Sequence, residues 1–452
     1  MADRRVLLAC YHFPPVASVG SVRVGALAKY LPRHGWEVTV VTPARPGRAR
    51  TSLAIVETRD ADRALAWKHV LGLRGDLALK DQVGAETGSR SLAAAGRAAA
   101  IEIAKALLAF PDAHRGWARI AAAAARAAAR ERPFDALLTS SPPVSAHLAG
   151  ARMRRQLGVA WVADLRDLWT DDHNSTAPAW RRRLERRLER RTLGRAAALV
   201  TVSEPLAQTL RAAYPCQATH SILNGFDPEL AHPATPHGRE LTICHTGTFY
   251  QGRRDPTPLF EALRSLLASG RIDRARLRVR LLSRAEPWLR QAIDARGLAD
   301  VVALEPWVAW EDALAAQREA QVLLLLHWGG PAERGVYTGK IFEYLAARRP
   351  ILMVGGGEGV LADLLRETGA GVHVRDPAAL ERQLAGFWDE FRTTGQVGYH
   401  GDASRIERYS HDRMAREFAA VLDAAVQSGA VGAAACTASV PGLRSPSATA
   451  TR

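Results

Sequence analysis

Lys340 and Glu343 stand three residues apart in the stretch YTGKIFEYL, residues 337–345, with an apolar run at 350–354 close behind. A polar, glycine-containing loop carries the lysine into a helix start, so the two side chains project from neighbouring turns of one face. A lysine at a helix N-terminus lies beside free backbone N–H groups and the positive end of the helix dipole, a combination that holds phosphate. A carboxylate one turn later accepts two hydroxyl hydrogen bonds and suits the diol of a ribose or hexose. Phosphate beside a diol describes a sugar nucleotide. The same spacing also fits an exposed ion pair on a helix that caps a strand, and this segment alone leaves both readings open.

Other chemistry-bearing residues fall just after apolar runs. In TGTFYQGRRD, residues 246–255, Gly247 and Gly252 permit tight turns, and Arg253 or Arg254 offers a bidentate clamp for a diphosphate. A surface arginine needs no ligand, but Lys340 at the same sheet edge favours the clamp. In YHFPPVASVGSVR, residues 11–23, Pro14-Pro15 ends a strand and Gly20 allows close backbone approach ahead of a helix. Such a loop is a common anion or substrate site, or else a plain turn. It is not GxGxxG, so it gives little support to dinucleotide binding. Ser140, in TSSPP at 139–143, either caps a helix or faces the same edge.

Asp164, Arg166 and Asp167 close a further apolar strand in WVADLRDLW, residues 161–169. Charges there need partners or a solvated cleft. An ion pair between Arg166 and one of the aspartates meets that need and coexists with function. DLRD is not a metal-binding DxD, so no divalent metal is inferred. The run RRRLERRLERR at 181–191 is helical, with Leu184 and Leu188 one turn apart and Glu/Arg pairs at i,i+4. It reads as a solvated basic face, with anionic membrane lipid as the sharper alternative. It lacks the aromatic interleaving of a single-strand-binding surface.

The elements that position these residues alternate. Strand candidates fall at 6–10, 38–42, 136–139, 161–165, 199–202 and 221–223, then at 241–245, 277–282, 301–304, 322–326, 351–354 and 371–374. Helical stretches lie at 24–34, 92–108, 117–130, 145–157, 179–193, 204–213, 258–268, 285–296, 310–319, 340–348 and 360–367. Strands that are apolar throughout are buried on both faces, and alternation with helices indicates parallel, doubly wound sheets. The fold class expected is α/β, with two Rossmann-like domains facing a central cleft. Residues 1–226 form the first domain, 227–239 a Pro/His/Gly-rich linker and 240–410 the second domain. A helix at 411–428 follows, then a small, polar tail at 429–452 that is expected to be disordered. Residues 46–95 show no clear strand.

Composition bounds the function. The 452 residues fit two domains of ordinary size, and a hydrophobic content of 47% supplies their cores. Sixty-one Lys+Arg against 46 Asp+Glu gives a net charge of +15, which favours anionic partners. Cys10, Cys216, Cys244 and Cys436 are scattered, without zinc or disulfide spacing. The run at 6–10 is too short for a signal peptide and no run is long enough to span a bilayer. The chain reads as cytoplasmic, with peripheral attachment at the inner face of the membrane as the extension.

With these segments in view, the chain resembles the retaining glycosyltransferases of family 4, which have the GT-B fold. The likeness runs over residues 5–425 on seven ordered markers: YHFPP with Gly20 and Arg23, PFDALLTSSPP, WVADLRDLWTD, VTVSEPL, ILNGFD, HTGTFY…GRRD and TGKIFEYLAARRPIL. The resemblance implies a nucleotide-sugar donor held mainly by the second domain. Glu343 matches the second of the family's paired glutamates, at the ribose. Lys340 and Arg254 match the basic pair at the diphosphate. Gly20 matches the loop that lets donor phosphates approach the first domain. The last helix crosses back to that domain.

Two departures stand out. The family's first glutamate falls eight residues before Glu343, at Gly335, with Glu333 two residues off. Where many members carry a cleft histidine, this chain has Asp164-Leu165-Arg166-Asp167.

The expected reaction transfers a hexose from a nucleoside diphosphate sugar to a hydroxyl acceptor, with retention and without metal or cofactor. Arg254, Lys340 and the Gly247–Thr248 loop stabilise the leaving diphosphate, with Asp164 as a further catalytic group. Donor-binding residues are Gly20, Gly247, Thr248, Arg254, Thr338, Gly339, Lys340 and Glu343. Acceptor-side residues are His12, Ser140, Arg166 and Asp167. A lipid-linked sugar phosphate suits the arginine-rich helix, and a soluble hydroxylated metabolite suits it no worse. Nucleic acid is not an expected partner. The competing readings are a sugar-nucleotide epimerase of the same fold and a non-catalytic basic protein that binds nucleic acid or membrane.

Overall fold

The computed structural model of the chain describes residues 4–16, 19–47, 52–60, 110–172, 175, 177–230, 238–284, 286–328, 330 and 334–431. The helix expected at 92–108, Glu333 and most of the expected tail lie outside them.

The first lobe runs β1 (Arg4–Cys10), α1 (Val19–Tyr30), β2 (Trp36–Pro43), β3 (Ala54–Thr58), α2 (Trp117–Glu131), β4 (Ala136–Ser141), α3 (Ser145–Leu157), β5 (Ala160–Leu165), α4 (Ala179–Leu193), β6 (Ala198–Thr201), α5 (Glu204–Ala213) and β7 (Ala218–Ser221). Its strands order as β3-β2-β1-β4-β5-β6-β7, all parallel. The second lobe runs β8 (Leu241–Thr246), α6 (Thr257–Ala268), β9 (Leu277–Leu282), α7 (Pro287–Asp294), β10 (Val302–Glu305), α8 (Trp310–Glu319), β11 (Val322–Leu326), α9 (Gly339–Ala347), β12 (Ile351–Val354), α10 (Val360–Thr368) and β13 (Gly371–Val374). Its order is β10-β9-β8-β11-β12-β13, again parallel. Then come α11 (Pro377–Thr394), α12 (Ala403–Glu407) and α13 (His411–Val431).

The strand β1 shows why the central strands are apolar throughout. Val6, Leu8 and Cys10 pack into the core beneath α1, while Leu7 and Ala9 face the opposite core beneath α2 and α3. In both sheets the order reverses about the first strand, between β1 and β4 and between β8 and β11. Loops leaving neighbouring strands there diverge and open a crevice at the carboxyl edge. Both lobes therefore carry their candidate residues on that edge.

Three elements escaped the sequence reading, the short helix α12 among them. The strand β3 is a half-exposed edge strand of mixed polarity, and it falls in the stretch where no strand was expected. The helix α11 was not recognised, although Asp376 caps it by accepting from the Ala379 N–H at 2.7 Å and Gly395 ends it in the left-handed conformation.

The last helix packs on the first lobe. Met414, Phe418 and Leu422 join the core beneath α1. Phe226 and Ser410 form an isolated bridge, with Phe226 N–H donating to Tyr409 O at 3.0 Å and His411 N–H to Phe226 O at 2.8 Å. The two connections between the lobes therefore touch. A side chain at Gly225 would meet the Tyr409 carbonyl at 2.6 Å, so only glycine fits. Among the described residues, no helix is long and apolar enough to cross a membrane.

Candidate functional site

On the second lobe the site starts where β8 ends. Gly247 has φ +125°, a conformation L side chains rarely adopt, and its N–H donates to Leu282 O at 2.8 Å. Lys340 lies against it from the first turn of α9. Thr338 is the N-cap residue of that helix, but its side chain makes no capping hydrogen bond. The helix start therefore presents N–H groups and dipole beside Thr338, Gly339 and Lys340.

Lys340 makes no hydrogen bond or ion pair with another described residue. Burial, then the nearby Arg254, pushes its pKa down to about 8, and Glu343 opposes that shift. A half-buried ammonium set beside a guanidinium is poised for an anion. Arg254 and Arg253 part company. The guanidinium of Arg253 stacks on Trp328, 4.2 Å from the ring centroid, whereas Arg254 is half-buried near Lys340 and 5.7 Å from the Tyr250 ring. The turn carrying them is tied by Asp255, which accepts from Gly252 N–H at 3.1 Å and Thr257 N–H at 2.9 Å.

Glu343 is not ion-paired to Lys340, which sets aside the ion-pair reading of this helix. Its Oε1 accepts from Trp310 Nε1 and its Oε2 from Gln317 Nε2, each at 3.1 Å. Gln317 Nε2 also reaches Thr246 Oγ1 at 2.9 Å, which locks the carboxylate to the end of β8. Two protein donors leave lone pairs on both oxygens for a diol. The sequence reading missed Trp310 and Gln317. A glutamine on the apolar side of α8 was the available signal. His245 is buried and neutral, its pKa pushed down to about 3 by burial and then by Lys340. Its Nδ1 lies 2.8 Å from Leu324 O. His245 Nε2, Ser283 Oγ and Gln317 Oε1 are buried without a protein partner among the described residues.

The first lobe corrects several expectations. Asp164 is fully buried, bound by Arg23 Nη2 at 2.9 Å and Nε at 3.1 Å, and by Ser140 Oγ at 2.7 Å. Arg23 goes on to Ile222 O, Leu223 O and Asn224 Oδ1, and lies 5.0 Å from the Phe418 ring. Asp164 and Ser140 therefore sit behind the cleft wall in a knot that joins β4, β5, α1 and α13. That burial removes both from contact with a substrate.

The ion pair expected of Arg166 with an aspartate is replaced by carbonyl contacts. Its Nε donates to Ser141 O at 2.5 Å and its Nη2 to Pro142 O at 2.9 Å. Its Nη1 lies 1.5 Å from where a Cβ of Gly20 would stand. Gly20 thus makes room for Arg166 at the start of α1, and the guanidinium fills the approach expected for donor phosphates. Asp167 is exposed beside it. His12 is half-buried and neutral, its pKa pushed down to about 4 by burial and then by His114 and Arg166. Arg166 and His12 are brought together, while Asp164 and Ser140 lie beneath them.

The lobes meet near the donor-side helix. A Cβ at Gly335, in the loop leading to α9, would lie 2.9 Å from Pro205 Cβ and 3.6 Å from Ser203 Oγ of the first lobe. That leaves no room there for the family's first glutamate. Among the described residues no group of three or more His, Cys, Asp or Glu side chains gathers to hold a metal.

Residues 20–230 match the Glycosyltransferase Family 4 domain. That match spans nearly the whole first lobe. The solved structures agree on the fold, GT-B, at identities that speak to fold alone. Anabaena HepE in complex with UDP and glucose is 14% identical with a TM-score of 0.56, covering 93% of this chain and 100% of its own. Sucrose-phosphate synthase from Thermosynechococcus elongatus is 14% identical with a TM-score of 0.53, covering 94% and 97%. A putative UDP-N-acetylglucosamine 2-epimerase from Listeria monocytogenes is 12% identical with a TM-score of 0.50, covering 94% and 97%. No curated protein matches by sequence. In this glycosyltransferase the matched domain holds the Arg23–Asp164 knot, while Arg254, Lys340 and Glu343 lie beyond it on the second lobe.

Proposed function

We propose that the glycosyltransferase transfers a sugar from a nucleoside diphosphate sugar to a hydroxyl acceptor, with retention of configuration and without a metal ion. The observation that carries this reading is the bare start of α9, where Lys340 lies against Gly247 with Arg254 nearby and Glu343 stands one turn away. The cations and the N–H groups at that helix start receive the diphosphate, and Glu343 receives the ribose diol. As the anomeric bond breaks, charge grows on the leaving diphosphate, and fixed cations stabilise that state more than the ground state. HepE in complex with UDP and UDP-glucose supports the class of donor. The acceptor meets the first lobe near His12, Arg166 and Asp167. It is either a lipid-linked glycan or a hydroxylated metabolite.

A melting-temperature screen against UDP-, GDP-, dTDP- and ADP-sugars tests the donor site. A ligand at a hundred times its dissociation constant adds about 2.7 kcal/mol. Product analysis by NMR then reads the anomeric configuration and tests retention. No shift with any of the four donors overturns the site assignment. Appearance of an altered sugar nucleotide with no acceptor present identifies an epimerase instead.

A further inference from the structure

The arginine-rich helix α4 is packed inside out. Its acidic residues face the protein: Glu185 pairs with Arg181 at 2.8 Å, and Glu189 accepts from Thr170. Burial raises the pKa of Glu189. Leu188 and Leu193 pack on the core, but Trp180 and Leu184 point outward with 37% and 43% of their surface exposed. On a helix Trp180, Arg183, Leu184, Arg187, Arg190 and Arg191 fall on one stripe.

Arg182, Arg183, Arg187, Arg190 and Arg191 make no ion pair or side-chain hydrogen bond with another described residue. Arg132, Arg211, Arg271 and Arg274 all pair with carboxylates, as does Arg186 on the flank of α4 itself. The stripe thus exposes two large apolar side chains one turn apart, bracketed by uncompensated cations.

We propose that this face docks on an anionic lipid bilayer. An indole and a leucine gain by entering below the headgroups, while guanidinium groups stay level with lipid phosphates on their flexible stems. Charge complementarity fixes the sign of the partner, and Leu184 favours lipid over nucleic acid, whose surface offers no apolar depth. The placement is productive. The first turn of α4 lies at the sheet edge where β5 delivers Arg166, and Arg181 ties it to Pro111 O at 3.0 Å. A bilayer on this face lies beside the acceptor side of the cleft. The docking does not depend on the sugar-transfer reading, because it is measured without donor.

Flotation of the full chain with vesicles tests it. The protein binds phosphatidylcholine vesicles that contain roughly one-third phosphatidylglycerol, ignores pure phosphatidylcholine, and is released as salt rises. The double variant Trp180→Ser/Leu184→Ser and the triple variant Arg183→Glu/Arg187→Glu/Arg191→Glu each lose at least about tenfold in vesicle affinity. Both keep the wild-type melting temperature and the wild-type thermal shift with donor. Arg254→Ala floats like the wild type. Equal binding to neutral vesicles, binding that survives either variant, or tighter binding to a DNA or RNA oligonucleotide than to anionic vesicles overturns the proposal. So does self-association in light scattering that vanishes with the same substitutions.

Discussion

The side chain of Lys340 fills the space where a Cβ of residue 247 would stand: a methyl group on Gly247 would come within 2.1 Å of Lys340 Cε and 2.4 Å of its Nζ. Substituting Gly247 therefore moves the cation and strains a backbone at φ +125°. Gly247→Ala should cost about 1–3 kcal/mol of stability from backbone strain. It should also weaken donor binding by more than the stability loss explains. Denaturant melts and isothermal titration with the nucleoside diphosphate separate the two effects, and unaltered donor affinity would remove Gly247 from the site.

Lys340 should make donor binding depend on pH. Its folded pKa of about 8 lies below the value in an unfolded chain, so the unfolded state binds more protons between the two. On this account the stability of the ligand-free protein rises as pH climbs through that window. Donor affinity runs the other way, because only the ammonium form attracts diphosphate, and it falls as pH passes 8. Lys340→Met should flatten both profiles. It should also raise the ligand-free melting temperature near neutral pH while removing the donor-induced shift. A pH profile of the diphosphate dissociation constant, wild type against variant, is the measurement.

Glu343 is held on both oxygens, so its supports should matter to donor binding. Trp310→Phe deletes one hydrogen bond to the carboxylate. The variant should raise donor KM several-fold, on the scale of about 1 kcal/mol for one hydrogen bond, with kcat nearly unchanged. Gln317→Leu also breaks the link to Thr246 and should cost more. A fall in kcat with constant KM would place these residues on the reacting atoms instead.

The Arg23–Asp164 pair should act on folding rather than chemistry. Breaking a buried ion pair from one side costs about 3–5 kcal/mol because the remaining charge is stranded. Asp164→Ala and Arg23→Ala should each lower the denaturation midpoint by such an amount, and turnover per folded molecule should change far less. A stable Asp164→Ala protein without turnover would restore the catalytic role expected from the sequence.

Much of the second lobe's candidate site was legible because its signals are local. Lys340, Glu343 and the glycine before them share one loop and one helix, and Gly247 and Arg254 share another. Period and spacing place such residues without knowledge of the rest of the chain. The separate fates of Arg253 and Arg254 were not legible, since adjacent residues are sorted only by what packs beside them. Here that is Trp328, more than seventy residues away.

The first lobe was harder to read. Asp164, Arg166 and Asp167 ended a strand as expected, but partner choice among charges is non-local. Arg23, on another helix, outcompeted Arg166 for Asp164, and Gly20 then gave Arg166 its place. In α4 the i,i+4 pairing and the solvated basic face were visible, yet the burial of Glu185 and Glu189 and the exposure of Leu184 were not. Alternation of Leu, Glu and Arg gives two candidate faces, and Thr170, together with the core under α3, selected the acidic one.

The sequence by itself determined two parallel α/β lobes, the switch-point loops and the placing of Lys340 and Glu343 on one helix, because hydrophobic period and helix-start chemistry act within a few residues. Only the tertiary structure decided which charges are buried and which face the cleft. It turned Asp164 inward and left Lys340 half-enclosed. Desolvation is settled by neighbours distant along the chain, and a charge stays buried only where those neighbours supply its hydrogen bonds.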